Sequence, residues 1–117
     1  MREVLFYRTI SGRCPVEDFL ESLRDKQVEK IFWVLRLVKS LDPVPIQYFK
    51  KLSGTHDIWE VRVHAGRDTY RILGFFGGKR LVVLTNAFSK KTDKVPRKEI
   101  RLAQRRRKDY IGSAEKQ

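Results

Sequence analysis

Two arginines, Arg62 and Arg71, are the residues whose type and spacing first suggest chemistry. They sit in IWEVRVHAGRDTYRILGFF, residues 58–76, which reads as two β-strands around a turn. Alternation puts Trp59, Val61 and Val63 on one face of the first strand and Glu60, Arg62 and His64 on the other. In the second strand it separates Tyr70 and Ile72 from Thr69 and Arg71. A II′ turn at Gly66-Arg67 sets a register in which Arg62 and Arg71 stand directly opposite each other. Like charges opposed across a sheet destabilise it, so packing gives no reason for this arrangement and a bound anion does. An arginine that serves an anion in this way should be replaceable by alanine without loss of fold.

Phosphate is the natural anion, because planar guanidinium groups match its oxygens bidentately and lysines add point charge. Lys50, Lys51 and His56 arrive on the preceding connector, and Lys90, Lys91 and Lys94 follow the third strand. The sequence has no acidic cluster able to hold two magnesium ions, which argues against metal-dependent phosphodiester cleavage. Cleavage without metal or cofactor favours RNA, whose 2′-hydroxyl supplies the nucleophile. Such a site needs a proton acceptor for that hydroxyl, cations for the charge that develops on phosphorus oxygens, and a donor to the departing 5′-oxygen. Arg62 and Arg71 suit the middle role. Lys51, Lys90 and Lys91 are candidates for proton transfer, because a lysine crowded by cations loses its proton more easily, and His56 is a rival. His64, at a strand end beside a turn, reads as structural.

The elements that must position these residues follow from periodicity. EVLFYRT is a first strand. CPVEDFLESLRD is a short amphipathic helix with Val16, Phe19, Leu20 and Leu23 on one side and Pro15 in its first turn. KQVEKIFWVLRLVKSL is a longer one with a stripe of Ile31, Val34, Leu35, Val38 and Leu41, stopped by Asp42-Pro43. QYFKKLSGTHD is a connector. RLVVLTNAF, entered through Gly77-Gly78 as a I′ turn, completes an antiparallel meander; being apolar on both faces it is an interior strand, paired on its free side by the N-terminal strand or a short C-terminal one. VPRKEIRLAQRRRKDYI is a basic helix whose inner face is Ile100, Ala103 and Tyr110, and GSAEKQ is a frayed tail. The fold class is α+β, with the helical hairpin on the Trp59, Val61 and Ile72 face and the arginine face open.

The 117 residues carry 26 basic and 14 acidic side chains, a net charge of +12. By thirds (residues 1–45, 46–85 and 86–117) the balance is +1, +4 and +7, so a polyanion should meet the second and last parts. A lone Cys14 excludes a disulfide framework and a cysteine zinc site. The N-terminus has no secretory apolar stretch and the run IFWVL is far too short for a membrane span, so a cytoplasmic protein of one domain, residues 1–117, without membrane contact, is expected.

KKLSGTHDIWEVRV, YRILGFF and VLTNAFSKKTDKVPRKEIRLAQRRRKDY together resemble the RelE/ParE toxin superfamily, specifically its phage-derived HigB-like branch. The motifs occur in that branch's order, and the preceding strand and helical hairpin fit as well. The resemblance implies a RelE-like fold and an endoribonuclease toxin that cleaves messenger RNA, often on the ribosome. It also implies silencing by a cognate antitoxin, expected to be a helix-turn-helix protein. Catalytic roles would fall on Arg62, Arg71 and Lys90, with RNA contacts from Lys50, Lys51, His56, Lys91 and Lys94. Phe88-Ser89 stands near where some relatives carry a catalytic tyrosine or histidine, which leaves the acid and base open. The alternative is a non-catalytic basic module that binds RNA or the ribosome, or a ParE-like inhibitor of DNA gyrase. In that case Arg62 pairs with Glu60 or Asp57, and Arg71 with Asp68, as ordinary strand charges.

Overall fold

A computed structural model describes residues 1–115. In chain order they form β1 (Glu3–Phe6), α1 (Pro15–Glu21), α2 (Asp25–Ser40), β2 (Phe49–Lys51), β3 (Trp59–Ala65), β4 (Asp68–Phe76), β5 (Leu81–Ser89) and α3 (Arg97–Glu115). The α+β class is as the sequence indicates. One five-stranded sheet has the order β1-β5-β4-β3-β2. The N-terminal strand is the partner on β5's free side, and it pairs in parallel. None of the described helices is long and apolar enough to cross a membrane.

The first core forms as the helical stripes require. Val16 and Leu20 of α1 and Ile31, Val34, Leu35 and Val38 of α2 are buried against Val61, Val63, Tyr70 and Ile72 of the hairpin and Val82 and Leu84 of β5. Pro15 opens α1 where a missing N–H costs nothing, and acidic Glu17 and Asp18 follow at the positive end of the helix. At the start of α2 the Gln27 side chain accepts the Arg24 backbone N–H at 2.9 Å. Trp59 stacks on Phe49 with ring centres 4.8 Å apart.

The opposite face is not open along its length, contrary to the sequence expectation. Leu73, Phe75 and Val83 make half of it apolar, and α3 covers that half through the fully buried Ala103. A small residue there lets the helix lie close to the sheet, with Ile100 and Tyr110 partly buried beside it. The half toward the β3–β4 turn holds the charged side chains, of which Arg62 and His64 reach solvent. Gly66 has φ 64 and Arg67 is not left-handed, the II′ pattern expected. Neither Gly77 nor Gly78 has positive φ, because four residues rather than two join β4 to β5 and no I′ turn is needed. Part of the connector is strand: Phe49–Lys51 pairs with β3. The tail expected from Gly112 is helical as far as Glu115, and its last two residues lie outside the described residues.

Candidate nucleic-acid interface

Strand register lays the charged half of the face out in rows. Lys50, Glu60, Leu73 and Asn86 are partners across β2, β3, β4 and β5. Arg62, Arg71 and Phe88 form the next row. His64 and Thr69 form the third, extended by Lys90, whose N–H donates to the Thr69 carbonyl at 2.7 Å. The expected opposition of Arg62 and Arg71 is therefore present, and so is a structural reason for it.

That reason is Glu60, only 1% exposed. Its Oε1 accepts from Arg62 Nη2 at 3.1 Å, and its Oε2 lies 3.3 Å from Arg71 Nε. The carboxylate stands between two guanidinium groups and offsets the repulsion that the pattern alone suggests. Arg62 pairs with Glu60, one of its two candidate partners. Arg71 does not pair with Asp68, whose carboxylate instead accepts from Gln27 of α2. Arg71 is 1% exposed, and its Nη2 donates to the Asp93 carbonyl at 2.9 Å. Lys90 Nζ holds the Asp93 carboxylate at 3.2 Å, so one loop residue is gripped from both ends. Arg62 keeps 26% of its side chain exposed and is the guanidinium a ligand can reach.

The charges do not balance. Among the described residues one buried carboxylate serves two arginines, Arg62 Nε is buried without a hydrogen-bond partner, and the Arg71 Nε to Glu60 approach is off the hydrogen-bonding line. Lys91 and Lys94 are exposed on the loop beside this surplus, and Lys50 is half-buried in the adjoining row. The structure does not bring every candidate there. Lys51 alternates onto the opposite face, in register with Trp59. His56 is exposed in the loop before β3, with no hydrogen bond or ion pair among the described residues. Asp93 is the participant that the sequence did not signal, and Glu60, expected only as a partner of Arg62, also reaches Arg71. Glu60 was signalled by its place two residues before Arg62 on the same face.

Neighbouring polar groups anchor α3. Asn86 Nδ2 donates to Glu99 Oε1 at 3.0 Å, and Arg106 Nη1 to the Thr85 carbonyl at 2.8 Å. The arginine run is therefore not all solvated surface. Tyr7 donates to Asp109, and burial, reinforced by that carboxylate, pushes its hydroxyl up to about 12. Burial and then Asp68 also raise Tyr70, which packs under the helices, away from the arginines. A cavity of about 330 Å³ beside β1, lined by Val4, Phe6, Phe32, Leu35 and Arg36, shares no residue with the charged rows. Among the described residues no three His, Cys, Asp or Glu side chains gather as metal ligands.

Residues 18–108 match the model of a family described as Phage derived protein Gp49-like (DUF891). No curated protein matches the chain.

Proposed function

The chain belongs to this Gp49-like family of phage-derived, toxin-like proteins, and on that premise we propose that it is the toxin of a type II toxin-antitoxin pair. We place it in the HigB-like branch of the RelE/ParE superfamily, as a metal-independent endoribonuclease that cuts messenger RNA on the ribosome and stops translation. The observation that carries this reading is the uncompensated positive charge of Arg62 and Arg71 around the single buried carboxylate of Glu60. A phosphodiester supplies the missing anion. Arg62 meets the non-bridging oxygens. Arg71, buried, positions Arg62 through Glu60 and holds the Asp93 loop. Lys90 lies where it can donate toward the leaving 5′-oxygen, and Lys50, Lys91 and Lys94 attract the backbone on either side.

One observation favours the second reading, a non-catalytic module of the RNA-binding or gyrase-binding kind. Arg62, Arg71 and Lys90 are all cations, and none carries a lone pair able to take a proton. Induced expression in bacteria separates the two. Translation that stops with cut transcripts, and continues when Arg62→Ala is expressed at equal level, supports the ribonuclease. A supercoiling defect with intact RNA replaces it with the gyrase reading, and stalled translation with intact RNA replaces it with a ribosome-binding one.

A further inference from the structure

We infer that His64 is the proton acceptor of this site, an assignment that rests on the ribonuclease reading above. The two oxygens of Glu60 face two guanidinium groups in a buried place, so that carboxylate has no surface toward RNA. His64 is exposed on the same sheet face as Arg62, two residues along β3 and so about 7 Å away. Its Nδ1 lies 2.9 Å from Thr69 Oγ1, which orients the ring, and Nε2 has no hydrogen-bond partner among the described residues. The acceptor role takes the tautomer in which Nδ1–H donates to the threonine hydroxyl oxygen, which leaves the lone pair on Nε2. Lys90 flanks Thr69 on the other side, two strand spacings or about 10 Å from His64. An acceptor and a donor thus stand on opposite sides of the row beside the arginines.

The step balances with these groups alone. His64 Nε2 takes the 2′-hydroxyl proton while the 2′-oxygen forms a bond to phosphorus. The bond from phosphorus to the 5′-oxygen breaks with its electron pair, and that oxygen takes a proton from the Lys90 ammonium or from water. The products are a 2′,3′-cyclic phosphate and a 5′-hydroxyl. The groups on the face of His64 are Arg62 on β3, Thr69 on β4 and Lys90 after β5, with Arg67 in the adjoining turn, while the Asp68 carboxylate turns to Gln27 of α2. Arg24, Asp25, Lys26 and Lys30 at the start of α2 line a groove that His64 also borders.

The test compares the full-length protein with His64→Ala, His64→Gln, His56→Ala and Asp93→Asn on preformed ribosome and messenger RNA complexes and on a free RNA oligonucleotide, from pH 5 to 8. Both His64 variants should keep the wild-type thermal transition and lose about 100-fold or more in kcat with little change in KM. They should also lose the acidic limb of the pH profile, and added imidazole should restore part of the His64→Ala rate. A rate lost in His56→Ala and kept in the His64 variants moves the acceptor to that residue and overturns the assignment. If the wild type cuts RNA but the His64 variants keep its rate or its pH profile, the assignment falls and the ribonuclease reading stands. A loss confined to Asp93→Asn moves the acceptor to that carboxylate and also overturns the assignment. A wild-type protein that leaves both RNAs intact overturns the ribonuclease reading and this inference with it.

Discussion

Glu60 decides what the arginine pair is for, because a buried carboxylate between two guanidinium groups makes at least one of them structural. Arg71→Ala leaves Glu60 Oε2 and the Asp93 carbonyl without their cationic partner and a void where a buried side chain stood, so it should destabilise the protein by about 2–5 kcal/mol. Denaturant midpoints with an unchanged slope would register it. Substituting Glu60→Leu and Arg71→Met together should recover much of that loss, since well-packed apolar pairs replace buried ions at little cost. Arg62→Ala, at the solvent edge, should cost less stability and more function. This replaces the expectation that Arg71 is dispensable for folding. Alternation placed Glu60, Arg62, His64 and Arg71 on one face, and the turn glycine set their register. What alternation does not carry is depth. Whether a strand charge is solvated or sealed depends on what crosses the sheet above it, and α3 and the Asp93 loop are distant in sequence.

The element that seals the face is α3, and its seat is set by an irregularity in the sheet. Register slips between Leu73 and Gly74, so that Leu73 pairs with Asn86 and Gly74 with Leu84. Thr85 is left over at the bulge, and its carbonyl takes the hydrogen bond from Arg106. A Cβ on Gly74 would stand 2.4 Å from the Val83 carbonyl oxygen and 2.9 Å from Leu84 Cδ2. Gly74→Ala should therefore lower the thermal midpoint and weaken the α3 anchor, visible as faster amide exchange around Thr85 and Asn86. The far end of α3 is tied through Tyr7 and Asp109. A hydroxyl raised from about 10 to about 12 stays protonated longer in the folded chain than in the unfolded one. Its stabilisation is complete below pH 10 and is lost as pH rises toward 12. Tyr7→Phe should remove that part of the alkaline slope, which thermal unfolding of both proteins across the window would measure. The amphipathic stripes of α1 and α2 were legible because each buries a broad apolar side. The inner face of α3, Ile100, Ala103 and Tyr110, was legible too, but its seat was not, since that depends on the apolar half of the sheet face made by Leu73, Phe75 and Val83.

Across the whole molecule, the charge gradient separates a nearly neutral helical hairpin from a basic sheet face and C-terminal helix. A toxin needs silencing in the cell that makes it, and we expect the antitoxin to meet the basic side. Association should then slow markedly as salt rises from low to physiological strength, in stopped-flow or surface-binding measurements. Rates independent of salt, or hydrogen-exchange protection confined to residues 15–41, would move the contact to the helical hairpin. The central claim concerns the phosphodiester, and the chemistry of the cut end tests it most directly. RNA cut by the protein should end in a 2′,3′-cyclic phosphate or the 3′-phosphate derived from it, with a 5′-hydroxyl on the downstream fragment, as mass spectrometry of the fragments would show. Fragments that carry a 5′-phosphate and a 3′-hydroxyl would contradict the account.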